Sequence, residues 1–337
     1  MKNHSILFTA PCVAEYLETD MPAAGAGEVL VEIARTAISS GTERANLVGE
    51  ANTNSTKPGE VKFPRICGYS AAGIVKEVGE GVASVKPGDR VACIWTKHRQ
   101  YCVLPEENVF PLPDTVSFDE ATLMNIATFP LAAIRKCRLE IGESAVVMGQ
   151  GILGQFAVLL LRAAGAAPII AVDPVPEKRA RALTLGADFA FDPFAPDFAS
   201  EVKRLTCGGA AVAIEVTGNG RALDQVLDCM RPRGRVALLG CTRDPNFAID
   251  YYRKVHGPGI TLVGAHTQAR PHAESYPGYW TAQDDVRALI HLVNGGRLSL
   301  AALIEERHVP TEAPTIFKRL AEEPAFPIVI FDWSNEK

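Results

Sequence analysis

The chain has 337 residues, enough for about two domains of ordinary size. Apolar residues make up 47% and charged residues 22%, the balance of a packed globular protein rather than a disordered or fibrous one. A net charge of −5 excludes a polyanion binder acting through the whole surface, so no nucleic-acid partner is expected.

The first stretch, MKNHSILFTA, reads as a strand over about residues 1–9. Glu15 follows its short apolar run too soon for a secretory leader. EVLVEIARTAIS, from Glu28 to Ser39, is strand-like. GEANTNSTKPGEVKF, Gly49 to Phe63, is polar and irregular and reads as a surface loop. AAGIVKEVG and DRVACIW alternate as strands around a Gly/Pro turn, and ENVFPLP closes a β-rich region near residue 120. The frame GYSAAGIVKEVGEGV places Gly68, Tyr69 and Ser70 at the head of one of these strands.

The periodicity changes after Ser117. FDEATLMNIATFPLAAIRKC reads as a helix interrupted at Pro130. ESAVVMG, PIIAVD, AVAIEVTG, GRVALLG and GITLVGAH are short apolar runs of the kind buried on both faces of a parallel sheet. The helices ILGQFAVLLLRAAGA, PEKRARALTLGA and RALDQVLDCM lie among them, which predicts helices on both faces of the sheet. DDVRALIHLVNGG and EAPTIFKRLAEEP read as further helices, and FPIVIFDW as a last strand. The clusters Lys178–Arg181 and Arg231–Arg233 read as solvated helix or turn faces.

No apolar run reaches the ~18 residues of a membrane span, and the most apolar stretch, Phe156–Val172, is broken by Arg162. A cytoplasmic protein without a membrane partner is expected. The eight cysteines form no C-x-x-C pair and the seven histidines no H-x-x-x-H pair. Metal-ligand spacing is absent, so no metal residue is assigned.

VVMGQGILG carries Gly149-x-Gly151-x-x-Gly154 between a strand and an apolar helix. A second strand ends in Asp173 at the expected distance. Gly149 suits the tight turn. Gly151 lets the backbone approach a pyrophosphate at the helix N-terminus, and Gly154 lets helix and strand pack. Asp173 suits two ribose hydroxyls and repels a 2′-phosphate, which favours NAD over NADP.

With SSGTE (Ser39–Glu43), GYSAAGIVKEVGEGV, VKPGDRV, AIEVTG and GRVALLG, the whole chain resembles the medium-chain dehydrogenase/reductase superfamily, the zinc-containing alcohol dehydrogenase-like proteins. The resemblance implies an α/β architecture: a GroES-like β-rich catalytic domain (1–120), a doubly wound parallel-sheet Rossmann domain (121–270), and a C-terminal return to the catalytic domain (271–337). It implies an active site in a cleft between them, NAD as cofactor, a small-molecule substrate and a homo-oligomer, dimer or tetramer. It adds Ile152, Leu153, Lys178, Thr217, Gly218, Gly240, Cys241 and Thr128 to the cofactor set.

The metal positions depart from the family pattern. Ser40 stands where zinc-dependent members carry a cysteine, and Tyr69 and Ser70 where they carry His-Glu. Met124-Asn125 falls near the third ligand. No zinc is expected. Tyr69, Thr42 and Ser40 are the catalytic candidates, Tyr69 as hydrogen-bond donor or acid/base and Thr42 as a relay. For Tyr69 the other reading is a filler of the vacated metal site, and Ser40 and Ser70 are each a polar filler or a functional group. Asn125, His98, His266 and Trp280 are candidate substrate contacts, with His256 beside them; for His98 a structural role is the equal alternative. Tyr276, Tyr279 and Trp280 form a platform over substrate or a dimer contact. The expected reaction is zinc-independent hydride transfer between NAD(H) and a secondary alcohol or ketone, with sugars and polyols among the substrates. A quinone or enone reductase and a non-catalytic nucleotide-binding protein are the alternatives.

Overall fold

The computed structural model describes residues 2–50, 53 and 62–334. The loop expected over 49–63 lies largely outside them. The chain forms two compact units: residues 1–126 with 286–337, and residues 127–285. The stretch 271–285, expected with the first unit, thus belongs to the second. Its anchor there is ionic: Asp285 accepts from Arg135 Nε at 2.8 Å and lies 3.9 Å from Arg270.

In chain order the first unit begins with β1 (Lys2–Ala10), β2 (Val13–Asp20), β3 (Glu28–Ala37) and α1 (Ser40–Val48). Then come β4 (Arg65–Ile66), β5 (Ser70–Val78), β6 (Arg90–Ile94), β7 (Tyr101–Pro105), β8 (Val109–Pro111) and α2 (Phe118–Ala121). Helix α3 (Met124–Lys136) leads into the second unit, which holds β9 (Ala145–Met148), α4 (Ile152–Ala163), β10 (Ile169–Val172), α5 (Pro176–Thr184), β11 (Phe189–Phe191) and α6 (Phe198–Leu205). It continues with β12 (Ala210–Glu215), α7 (Gly220–Asp228), β13 (Met230–Leu238) and β14 (Thr261–Gly264). Helix α8 (Ala282–Asn294) leads back to β15 (Glu306–His308), α9 (Ala313–Glu322) and β16 (Val329–Asp332).

In the first unit β2-β1-β4 form one sheet. β15-β16-β3-β5-β6-β8 form another, with β7 on β3. Alternate residues of β3, Val29, Val31 and Ile33, enter a core with Phe8, Val75, Val91, Phe317, Phe331 and Trp333. The second unit is a six-stranded sheet in the order β11-β10-β9-β12-β13-β14, every pair parallel. Numbered within the unit, this is 3-2-1-4-5-6, the doubly wound order. AVVM, IIAV and AAVAIE are buried at every position, as a sheet covered on both faces requires.

Two local expectations change. Helix α3 runs on through Pro130. The break falls earlier, at Thr122–Leu123, where the Thr122 carbonyl accepts from Ser70 Oγ at 2.6 Å. Helix α1 was missed, since SGTERANLV is mostly polar and shows no strong apolar stripe. Among the described residues no helix is long and apolar enough to cross a membrane.

Candidate active site

The first unit builds its site on the corner between β4 and β5. Gly68 has φ +94°, and a Cβ there would stand 2.7 Å from the backbone nitrogen of His98, so only glycine fits. The next residue, Tyr69, is held by its carbonyl, which accepts from Trp95 N–H at 2.8 Å and from Asn125 Nδ2 at 2.6 Å. Its hydroxyl donates to Ser39 Oγ. Its ring lies 6.0 Å from that of Trp95, which is 43% exposed.

Ser39 is the N-cap of α1, yet its side chain makes no capping bond. A serine at that position ordinarily accepts from the N–H groups of the first turn. Here the hydroxyl is turned to Tyr69. Ser39 N–H donates to Glu43 Oε1 at 2.8 Å, and Glu43 Oε2 meets His98 Nε2 at 2.9 Å. With a carboxylate at Glu43, Nε2 is the donor. His98 Nδ1 lies 2.8 Å from Thr36 Oγ1, which also accepts from Trp333 Nε1 at 3.0 Å. None of Ser39, Glu43, His98, Thr36 and Trp333 is more than 3% exposed.

His98 is therefore corrected from substrate contact to buried pillar: both ring nitrogens are engaged and Phe317 and Phe331 meet it edge-on. Ser70 is fully buried and spends its hydroxyl on Thr122. Asn125 is buried and braces Tyr69. Ser40 is half-buried and Thr42 exposed, both in the first turn of α1. Ser39, Glu43 and Trp95 were missed. The adjacent serines before Gly-Thr-Glu were the available signal for Ser39, because one of them had to be the helix cap.

These residues do not fit zinc. Ser40, Tyr69, Ser70 and Asn125 offer neutral oxygen and amide groups in place of thiolate, imidazole or carboxylate. Beside them, burial and then the charge of Glu43 push the Cys67 thiol up to about 12. Among the described residues no group of three or more His, Cys, Asp or Glu is placed to hold a metal ion.

The second unit brings the dinucleotide residues to the carboxyl ends of its strands. Gly149 has φ +98°, and a Cβ on Gly154 would stand 1.9 Å from the Gly149 carbonyl oxygen. A Cβ on Gly151 meets nothing within 4 Å, which leaves the open cradle a pyrophosphate requires. Ile152 and Leu153 open α4. Asp173 is buried, and its carboxylate accepts from Gln150 N–H and Val175 N–H, each at 2.8 Å. Lys178 is half-buried on α5, and its neighbour Arg179 donates to the Asp173 carbonyl at 2.6 Å.

Glu215, at the end of β12, was not foreseen. Its carboxylate gathers Thr217 N–H at 2.7 Å, the Thr217 hydroxyl, and Gly218 N–H at 3.2 Å, and so shapes that turn. Burial raises its pKa despite these bonds. Gly240 and exposed Cys241 follow β13 at the same edge. Thr128 is buried and receives Arg270, on its carbonyl at 2.9 Å and its hydroxyl at 3.3 Å. His266 follows β14 at the carboxyl edge; burial, then the charges of Arg243 and Lys136, lower its pKa.

His256 precedes β14 and lies at the opposite edge, stacked on Tyr251. Trp280 is also corrected. The Arg135 guanidinium lies 3.6 Å from the centre of its ring, in a groove of about 530 Å³ with Leu139 and Ala164. Ala164 caps the far end of α4, roughly 18 Å from Gly151 along a twelve-residue helix. Trp280 therefore packs at the amino end of the sheet, away from the dinucleotide turn.

A β-rich unit with a tyrosine corner and a doubly wound unit with a glycine cradle define a nicotinamide-linked oxidoreductase. Residues 25–114 match the alcohol dehydrogenase GroES-like domain, and residues 153–282 the zinc-binding dehydrogenase family. The chain is 32% identical to an L-threonine 3-dehydrogenase of Pyrococcus abyssi over 77% of its length and 82% of that protein's. It is 27% identical to a D-guloside 3-dehydrogenase of Shigella flexneri, over 89% and 91% of the two chains. The structure of galactitol-1-phosphate dehydrogenase from Escherichia coli superposes with a TM-score of 0.84 at 20% identity, covering 98% of this chain and 100% of that one. The chain belongs to the zinc-containing alcohol dehydrogenase-like family of medium-chain dehydrogenases and reductases.

Proposed function

We propose that this family member is a zinc-independent dehydrogenase of secondary alcohols, preferring NAD(H), with Tyr69 as its acid/base. The observation that carries this reading is the donor set around Tyr69, hydroxyls and an amide where the family name implies a metal. Gly149, Gly151, Ile152, Leu153, Gly154, Asp173, Lys178, Thr217, Gly218, Gly240 and Cys241 would hold the dinucleotide, with Thr128 beside it. The bound nicotinamide supplies or accepts the hydride. The protein's own part is to give a proton to the carbonyl oxygen in reduction, and to take one from the hydroxyl in oxidation. The Tyr69 phenol carries the proton needed for the first. Thr42 and Ser40, at the head of α1, are the relay candidates.

The relatives named for threonine and for a guloside act on hydroxyl-bearing carbons, which supports a secondary alcohol of a sugar or polyol here. Trp95 adds to this: an exposed indole beside Tyr69 offers an apolar face on which a sugar ring packs. The edge strand β14, with exposed Leu262, supports a homo-oligomer, testable by light scattering. The eight free cysteines suit a reducing, cytoplasmic compartment.

The test is turnover of L-threonine, 2,3-butanediol, hexosides and polyols with NAD, and of ketones and enones with NADH, alongside metal analysis. Metal-free enzyme oxidising a secondary alcohol is expected. One zinc per chain with EDTA-sensitive turnover would overturn the metal-free reading, and activity on enones alone would replace the substrate class.

A further inference from the structure

Resting on the reading of Tyr69 as acid/base, we infer that Ser39 is its partner in proton transfer, and that Glu43 and His98 are the positioning residues that hold Ser39 in that role. Four contacts close a ring around the tyrosine. Tyr69 donates to Ser39 Oγ. Ser39 N–H donates to Glu43, and Glu43 meets His98. His98 returns to the corner: its backbone N–H donates to the Cys67 carbonyl at 2.9 Å, and its backbone and ring fill the space where Gly68 has no side chain. The residue that anchors the serine also seats the tyrosine.

The chemistry follows from which groups are already committed. An N-cap serine free to choose would cap α1. Glu43 accepts the Ser39 N–H, and its charge suits the positive end of the helix. The serine hydroxyl is left for Tyr69. At rest Tyr69 is the donor and Ser39 the acceptor. When Tyr69 gives its proton to a carbonyl oxygen, the carbonyl carbon receiving the hydride and its electron pair from the reduced nicotinamide, a phenolate remains. Ser39 has one hydrogen and turns it onto that phenolate, so the bond reverses direction without either residue moving away. A donor aimed where charge develops favours the charged form. Solvent then returns the proton to half-exposed Tyr69. Oxidation runs the same steps backwards, with Ser39 steadying the phenolate that accepts the alcohol proton.

Ser39→Ala, Ser39→Thr, Glu43→Ala, Glu43→Gln and Tyr69→Phe are compared for kcat, KM, NADH affinity and thermal unfolding. Ser39→Ala is expected to lower kcat about tenfold or more, with KM and NADH affinity within about twofold, and Ser39→Thr to restore most of the loss. Glu43→Ala is expected to follow Ser39→Ala. Glu43→Gln, whose amide oxygen still accepts from Ser39 N–H but whose amide N–H faces His98 Nε2, is expected to lose less kcat than Glu43→Ala. Isotope-labelled tyrosine Cζ spectra provide a readout that needs no substrate. The Tyr69 resonance, assigned by its loss in Tyr69→Phe, should move in Ser39→Ala and return in Ser39→Thr. A fall in kcat for Tyr69→Phe with none for Ser39→Ala, or a Tyr69 resonance indifferent to Ser39→Ala, would overturn this inference alone. Unchanged kcat in Tyr69→Phe would remove the acid/base reading beneath it.

Discussion

The backbone N–H of Gln150 donates to a carboxylate oxygen of Asp173 at 2.8 Å. The middle of the glycine turn after β9 is thus fastened to the residue that follows β10. The other oxygen of Asp173 receives Val175 N–H, so the acid is fixed from both sides. Each oxygen keeps a second lone pair for a ribose hydroxyl.

Replacing Asp173 with alanine should act on folding and binding together. Two backbone donors lose their acceptor, at a cost of about 1–3 kcal/mol each where they stay buried. NADH should bind at least tenfold more weakly, while the gap between NADH and NADPH narrows. Fluorescence titration of both coenzymes reads this out. Wild-type protein that binds NADPH as tightly as NADH would contradict the assignment.

Two glycines of the same turn should fail in different ways. At Gly151 the space beyond the missing Cβ is open, so Gly151→Val should fold, unfold at a near-normal temperature and bind no coenzyme. At Gly154 the Cβ would press on the Gly149 carbonyl at 1.9 Å. Gly154→Ala should therefore lose stability, by about 1–3 kcal/mol as overpacking does, as well as affinity. Calorimetry paired with NADH titration separates the two, and a Gly151→Val protein that binds normally would show that the turn does not cradle the pyrophosphate.

The Arg135–Asp285 pair should matter for stability rather than turnover. Asp285 is fully buried, and burial raises its pKa while Arg135 and Arg270 oppose that. Arg135→Ala leaves a buried acid with Arg270 alone and should cost about 3 kcal/mol. Arg135→Met combined with Asp285→Leu should not recover it, because buried Arg270 then loses its carboxylate. Trp280→Phe should leave KM within about twofold. A large KM change there would return Trp280 to the substrate.

Glu306 sets an acid limit for the first unit. Hydrogen bonds from Arg319, and then from His308, hold its carboxyl at about 2, below the ordinary 4.5. A carboxyl depressed on folding stabilises the folded state above its unfolded pKa and loses that contribution as pH falls toward the folded value. Wild type should therefore lose thermal stability between about pH 4.5 and pH 2 more steeply than Glu306→Gln. Parallel slopes for the two proteins would remove Glu306 from the acid response.

Much of the second unit could be read from the chain, because its signals are local. Gly149 to Gly154 lie in one turn, and the runs AVVM and IIAV are apolar at every position. The first unit was harder. His98 takes its partners from Thr36, Glu43 and Trp333, so its role depends on a fold that brings residues from four segments together. Ser39 was passed over for its neighbour Ser40, because Ser40 stands at the family's cysteine position and the helix that turns Ser39 toward Tyr69 was not foreseen. Trp280 was misjudged for a similar reason: its stacking on Arg135 joins segments nearly the whole unit apart. Tyr69 was singled out because a substitution at a family position is visible without any fold at all.

A Cβ on Gly240 would stand 2.1 Å from the Gly218 nitrogen, while Cys241, the next residue, is exposed. The floor where these two strand ends cross has no room for a side chain, but its rim carries a thiol. For a chemist this is a labelling position with a built-in boundary. With exposed Cys12 and Cys207 replaced by serine, a maleimide dye on Cys241 would sit one residue from closely packed backbone. Its emission would then report coenzyme arriving at that edge rather than wandering of the loop that carries it.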